Sequence, residues 1–328
     1  MPHITPEPIM KIAMGFMASK HLFVAGEIGL FEALAAGPAQ LDQIAERTGV
    51  PTRTLEIVLA AMVGLGLIER QGDEYGNGEA AAAFLAGRPG PDLRPVLRFW
   101  DQISYPVWQD LAEAVRTGQG QVQFGRFDQT QQQIFSAGVE AFTAPVAAAL
   151  AESYDFSRHR RVLDIGGGTG SFLVAILRRH ENLRGTLFDL PGACAVARAR
   201  LAHVPEGARI EVVEGDIGKD PLPAGHDVLI VANTVHVFSA THNIEMLGKL
   251  RAGVEAGARL LLPDLWTDAS GAAPLPAALM SGEFLVVSGE GQSYSEEDAD
   301  GWLAQTGWKK RERKALAGPA SLIVAEAV

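Results

Sequence analysis

R-V-L-D-I-G-G-G-T-G-S, Arg161 to Ser171, is the stretch whose reading decides the fold. A short apolar run enters a glycine-rich turn, and the residues after it carry apolar side chains at helical spacing. Strand, tight turn and helix in that order begin a βαβ unit. Downstream the pattern repeats in GTLFDL (185–190), RIEVVEGD (209–216), HDVLIVAN (226–233) and ARLLLPD (258–264). Helical stretches lie between them at Gly170–His180, Ala193–Leu201 and Thr241–Val254. Short buried runs alternating with helices predict an α/β domain with a Rossmann-like, mostly parallel sheet. GWKKRERKAL and SLIVAEAV, parted by Gly318-Pro319, read as an antiparallel hairpin added to that sheet.

Open sheets of this kind bind ligands at the carboxyl ends of their strands, and three acids sit at successive strand ends there. Asp164 precedes the glycines at 166, 168 and 170, where it would repel a pyrophosphate but suits the ammonium or water shell of an amino acid. The sixth position of a dinucleotide G-x-G-x-x-G pattern is here Ser171, which argues in the same direction. Asp189, 25 positions after Asp164, can accept both hydroxyls of a ribose, with Leu190 beside it. Asp216 and Ile217 are placed to meet an adenine edge and face, and Asn233 ends the fourth strand. The set Asp164, Gly166, Gly168, Gly170, Asp189, Leu190, Asp216, Ile217 and Asn233 predicts a site for an adenosyl ligand carrying an amino acid.

The upstream half is helical. Residues 9 to 36 read as helix, stopped at Gly37-Pro38. Leu41 to Gly78 has the order helix, turn at Gly49, second helix opening at Pro51-Thr52, and short hairpin, which is a winged-helix pattern. A DNA reader would use the first turn of that second helix, yet of Thr52, Arg53, Thr54 and Glu56 one residue is basic. The motif is therefore read as a packing and dimerisation module, with a DNA-binding regulator as the weaker alternative. Asp92 to Tyr154 stays helical around a Gly/Gln-rich connection, 118–125, and is rich in aromatics, Trp108 and Phe142 among them. The division expected is 1–90, a helical connector 91–155, and 156–328.

Composition narrows the classes further. The chain has 328 residues, a formal net charge of −11 and 47% hydrophobic residues, so it lacks the basic excess a phosphate-backbone binder needs. Its one cysteine, Cys194, forms no intrachain disulfide, and a cytoplasmic enzyme is expected. The apolar stretch Ile9–Leu34 is interrupted by Lys11, Lys20, His21, Glu27 and Glu32, short of the ~18 apolar residues of a spanning helix, so no membrane span is expected. His236 and His242 lie six apart, and no cluster has metal-ligand spacing.

The residues D-I-G-G-G-T-G, F-D-L-P-G, G-D-I and N-T-V-H, together with GLFEAL and GLIER upstream, resemble the small-molecule O-methyltransferases of the plant caffeate, hydroxyneurosporene and antibiotic-tailoring type. The resemblance runs over nearly the whole chain. It implies a class I methyltransferase sheet preceded by an all-α winged-helix dimerisation domain, and a homodimer whose N-terminal helices intertwine. It further implies S-adenosylmethionine as methyl donor, S-adenosylhomocysteine as product, and a small, aromatic or polyketide-like acceptor. The family's H-D-W segment reads His236-Val237-Phe238 here, so the general-base histidine matches while Asp and Trp do not. The family's acidic partner after the fifth strand matches Asp264, and a second family glutamate falls near Ser293, with Glu290 close by. His236 and Asp264 are thus the expected catalytic residues. Met280 and Phe284, on a helix that lines the acceptor pocket in the family, join Trp108 and Phe142 as pocket candidates, and Glu283 beside them is an unusual acid for an apolar helix. Transfer to carbon or nitrogen, or a non-methylating reaction that keeps the sulfonium donor, stays open at this point.

Overall fold

The computed structural model describes residues 4–121 and 125–328; residues 122–124 of the expected 118–125 connection lie outside the described residues. The chain divides into two compact units with the boundary at Ile103/Ser104, inside the segment 91–155.

The first unit opens with α1 (Glu7–Ala13), α2 (Gly15–Glu27) and α3 (Leu30–Ala33). The single helix expected over residues 9 to 36 is thus broken twice. Met14 caps α1, and Gly29, at φ +69°, takes a left-handed turn that ends the second stretch. Strand β1 (Ala39–Gln40), α4 (Leu41–Thr48), α5 (Thr52–Gly64), β2 (Ile68–Gln71) and β3 (Glu74–Asn77) follow, then α6 (Glu79–Phe84) and α7 (Arg94–Phe99). The three strands pair antiparallel in the order β1-β3-β2 and form the wing. Phe31, Ile44, Leu55, Leu59, Met62 and Ile68 are its buried core.

The second unit contains α8 (Tyr105–Val107), α9 (Leu111–Thr117), α10 (Gln129–Ser153), β4 (Arg161–Ile165), α11 (Ser171–Arg179), β5 (Arg184–Asp189), α12 (Pro191–Leu201) and β6 (Ile210–Glu214). Then come β7 (Val228–Val231), α13 (Ala240–Ala252), β8 (Arg259–Asp264), α14 (Leu275–Ser288), α15 (Glu296–Gln305), β9 (Trp308–Ala315) and β10 (Ser321–Ala327). The seven strands lie in the order β6-β5-β4-β7-β8-β10-β9. The first five are parallel, and β10 runs antiparallel to both β8 and β9. The switch in strand order falls between β4 and β7, so the ends of these two strands frame the crevice where such sheets bind ligands.

The runs are continuous rather than alternating because both faces of the sheet are covered. Val228 and Ile230 of β7 pack into one core, with α10, α11 and α12 residues such as Leu150, Leu173 and Ala197. Leu229 and Val231 pack into the other, with Leu247 of α13 and Trp302 of α15. Helix α10 is long and apolar enough to cross a membrane by length and composition, but its Val146, Ala147 and Leu150 belong to the first core.

Candidate active site

Strand β4 delivers Asp164 into the interior, where it is wholly buried. Both carboxylate oxygens lack a hydrogen-bond partner among the described residues. Burial, and after it the charge of Asp189, pushes this carboxyl up to about 8. The turn that follows depends on glycine. Gly166, Gly168 and Gly170 have φ of +67°, +54° and +82°, a conformation that L side chains rarely adopt. Gly167, between two of the expected glycines, is constrained as well. A Cβ there would lie 2.9 Å from Leu187 Cγ and 3.0 Å from the Asp164 carboxylate.

Asp189, at the end of β5, closes the turn: its Oδ2 accepts from Gly168 N at 2.8 Å and its Oδ1 from Leu190 N at 2.7 Å. Burial raises its pKa from the ordinary value, and those two N–H groups pull it back. Each oxygen keeps a second lone pair for another donor. Asp216 follows β6; its carboxylate accepts from Gly218 N at 2.8 Å and from Lys219 Nζ at 2.7 Å, and the lysine holds its pKa below the ordinary value. Ile217 packs against the second core, and Asn233 takes φ +50° in the turn leaving β7.

A cluster not foreseen from sequence clamps the glycine loop from outside. Glu140 of α10 accepts from the Thr169 and Ser171 hydroxyls and pairs with Arg200 of α12 at 2.5 Å, while Arg200 also donates to Thr169 O at 3.0 Å. No local pattern marks these residues, because they meet only when α10, α12 and the loop pack together.

The second half of the site stands on the same sheet edge. After β7 a tight turn, Val235–Val237, presents His236. Its Nδ1 lies 2.6 Å from Asp264 Oδ1, and Asp264, at the end of β8, is buried. The same oxygen accepts from Leu265 N at 2.7 Å. Nδ1–H pointing at a carboxylate leaves Nε2 as the nitrogen with the free lone pair. The imidazole stacks on Phe284 of α14, centroids 3.7 Å apart and planes 9° apart.

Three groups hold the turn. Asn243 Nδ2 donates to Val235 O at 2.8 Å, Tyr294 hydroxyl donates to Phe238 O at 2.7 Å, and Gly291 approaches so closely that a Cβ would lie 2.1 Å from His236 O. Glu290 pairs with His242 rather than with His236. Ser293, near which the family's second glutamate is expected, turns its hydroxyl to Ala277 O at 2.7 Å. His236 therefore has one carboxylate partner among the described residues.

Of the pocket candidates, Phe284 touches His236, and Met280, partly buried, packs against the same core as Phe284. Trp108 donates from Nε1 to Glu283 Oε2 at 2.5 Å. Phe142, on α10, is 39% exposed and takes part in none of these contacts. A cleft of about 1020 Å³ at the opposite, amino-terminal edge of the sheet, lined by Tyr154, His159, Asp227 and Arg311 among others, contains none of these residues. Asp164, Asp189 and Asp264 lie at the carboxyl ends of their strands. Among the described residues no group of three His, Cys, Asp or Glu side chains is placed to hold a metal ion.

The donor side has a buried acid without a hydrogen-bond partner among the described residues, beside a glycine-rich turn, and next to it a carboxylate with spare lone pairs. A ligand with an ammonium group and a ribose diol fits that set. Comparison with known proteins agrees. A family model described as O-methyltransferase domain matches residues 108–309, and one described as O-methyltransferase dimerisation domain matches residues 10–87. The chain is 33% identical over 324 residues to the 3-hydroxy-5-methyl-1-naphthoate 3-O-methyltransferase of Streptomyces sahachiroi, covering 96% of this chain and 92% of that one. It is 30% identical over 326 residues to the tetracenomycin polyketide synthesis 8-O-methyl transferase of Streptomyces glaucescens, with 97% and 96% covered. Among solved structures, PigF with S-adenosylhomocysteine superposes with a TM-score of 0.89 at 29% identity, covering 98% of this chain and all of that one. The chain belongs to the family of S-adenosylmethionine-dependent small-molecule O-methyltransferases.

Proposed function

We propose that this enzyme methylates a hydroxyl on a small fused-ring or polyketide-like arene, with His236 as general base and Asp264 as the group that orients it. The observation that carries the reading is the buried His236–Asp264 pair at 2.6 Å on the same sheet edge as the glycine loop. When bound at that loop, S-adenosylmethionine supplies an electrophilic methyl group on a sulfonium and leaves as S-adenosylhomocysteine. Asp164, Gly166, Gly168 and Gly170 would hold its amino-acid end, Asp189 and Leu190 its ribose, and Asp216, Ile217 and Asn233 its base. His236 Nε2 takes the hydroxyl proton as the oxygen attacks, and Asp264 stabilises the imidazolium through Nδ1–H. The methyl transfer is an in-line displacement, so holding the acceptor oxygen close behind the methyl group does most of the work.

The relatives named for a hydroxynaphthoate and a polyketide product support an arene acceptor. A homodimer is part of the reading: Ile9, Ile12 and Phe16 of the first two helices are 72%, 81% and 55% exposed, an apolar surface that a second copy would cover. We also place the enzyme in the cytoplasm, without a nucleic-acid or membrane partner, in keeping with its single cysteine and acidic balance.

Incubation with methyl-labelled donor and a panel of hydroxynaphthoates, followed by mass spectrometry of the products, tests the proposal. A methyl ether is expected. Label on carbon or nitrogen, or donor bound with no label transferred to any of them, would overturn it.

A further inference from the structure

Glu283 is 5% exposed on the apolar helix α14, yet among the described residues its recorded hydrogen-bond partners are neutral. Its Oε1 accepts from Ser104 Oγ and its Oε2 from Trp108 Nε1, both at 2.5 Å. Burial raises its pKa and these two donors lower it. A carboxylate in such surroundings is costly unless its lone pairs are filled, and here both oxygens are occupied by neutral donors. The same turn of α14 shapes the indole's other side: a Cβ on Gly282 would lie 2.9 Å from Trp108 Cη2, so glycine lets the ring lie against the helix. The chain after Trp108 is seated on α14 too, with Gly120 N donating to Gly289 O at 2.9 Å.

Despite this anchoring Trp108 keeps 37% of its surface exposed. One position on from Glu283, Phe284 lies flat on the imidazole of His236. A single helical turn therefore carries the glycine under the indole, the acid that holds its N–H and the phenyl ring on the catalytic base. An indole wanted only for packing needs neither a buried carboxylate nor an exposed face.

We propose that Glu283 is a positioning residue for the methyl acceptor: by fixing Trp108 it sets the indole as an aromatic wall at a constant distance from His236, against which a flat hydroxyarene lies. The proposal rests on His236 being the base for an arene acceptor. Glu283 itself touches neither acceptor nor donor. It acts through Trp108, so its contribution disappears when the indole N–H is absent.

The test uses 2-naphthol as probe and the full-length protein saturated with S-adenosylhomocysteine. Glu283→Gln is expected to weaken 2-naphthol binding roughly tenfold, the scale of a lost hydrogen bond to a charged group, and to leave S-adenosylhomocysteine affinity within about twofold. Trp108→Phe should have a similar effect, and Glu283→Gln placed on Trp108→Phe should add less than about a further twofold. Acrylamide quenching gives a readout independent of any acceptor. The Trp108 emission, taken as the difference from Trp108→Phe, should become more accessible and shift to the red in Glu283→Gln. Effects that multiply in the double variant, unchanged quenching, or no 2-naphthol binding by the wild-type complex would each overturn the wall. Should Glu283→Gln fail to fold, Trp108→Phe alone decides, because full 2-naphthol affinity without the indole N–H excludes the anchor. If S-adenosylhomocysteine does not bind the wild-type protein, the donor reading falls instead, so the two failures are told apart.

Discussion

His236 and Asp264 are far apart in the chain, and their 2.6 Å contact makes them one unit. His236→Ala is expected to lower turnover roughly 10²–10⁴-fold while donor affinity, read by calorimetry, stays nearly intact. Asp264→Asn should cost less in the same parameter, and the double variant should be no worse than His236→Ala alone. A double variant equal to the product of the singles would mean that the two do not act together. Asp164 makes a different prediction. Its folded value of about 8 lies above the ordinary 3.9 of an unfolded chain, so between about pH 4 and 8 the folded state holds a proton that the unfolded state has lost. That group's contribution to stability therefore declines as pH rises through this window. Asp164→Asn should remove the slope and raise the thermal midpoint of the ligand-free protein at pH 8 by about 2–6 °C, while weakening S-adenosylmethionine. A lowered midpoint would show that the buried carboxylate is satisfied in the folded protein after all.

The turns after β4 and β7 are where whole elements depend on a missing side chain. Gly167 and Gly291 make parallel demands in different halves of the site. A methyl at Gly167 meets Leu187 and the Asp164 carboxylate, whereas one at Gly291 meets the carbonyl of His236. Gly167→Ala is expected to weaken donor binding first. Gly291→Ala should leave donor affinity within about twofold and lower turnover on the order of 10–10²-fold, because sub-ångström displacement of a base is costly to catalysis. Equal losses in both parameters from Gly291→Ala would place the loop 289–291 in the donor site instead. The strands and helices carrying these turns were legible from periodicity alone, with boundaries within a few residues. The break at Gly29 was not, since the apolar spacing of residues 9 to 36 continues across it and only the backbone turn ends the helix.

At the scale of the molecule, the apolar residues of α1 and α2 raise the question of what covers them. Ile12 and Phe16, at 81% and 55% exposure, are the residues to change. Light scattering is expected to give twice the chain mass of 34.9 kDa. Ile12→Asp with Phe16→Asp should shift the protein toward the single-chain mass, since a charge in each apolar contact is repeated on both sides of a two-fold interface. A wild-type protein that runs as a monomer at micromolar concentration would remove the dimer from the proposal.

What the sequence by itself determined is whatever depends on near neighbours in the chain. The alternation of apolar runs and helices specified the sheet, the glycines specified the turn after β4, and the spacing of Asp164, Asp189 and Asp216 put acids at three strand ends. His236 and Asp264 were marked by the family resemblance rather than by a local pattern, His236 in the turn after β7 and Asp264 at the end of β8. Only the tertiary structure decided the rest. That Glu290 serves His242 and not His236, that Ser293 turns to Ala277, and that Glu283 holds Trp108 from 175 positions away are facts of packing. They follow from α14 lying against both the turn after β7 and the segment that carries Trp108. Such pairings join residues distant in the chain, and a carboxylate's partner is chosen by the directions and distances left when helices and strands close around a shared core, which no local pattern encodes.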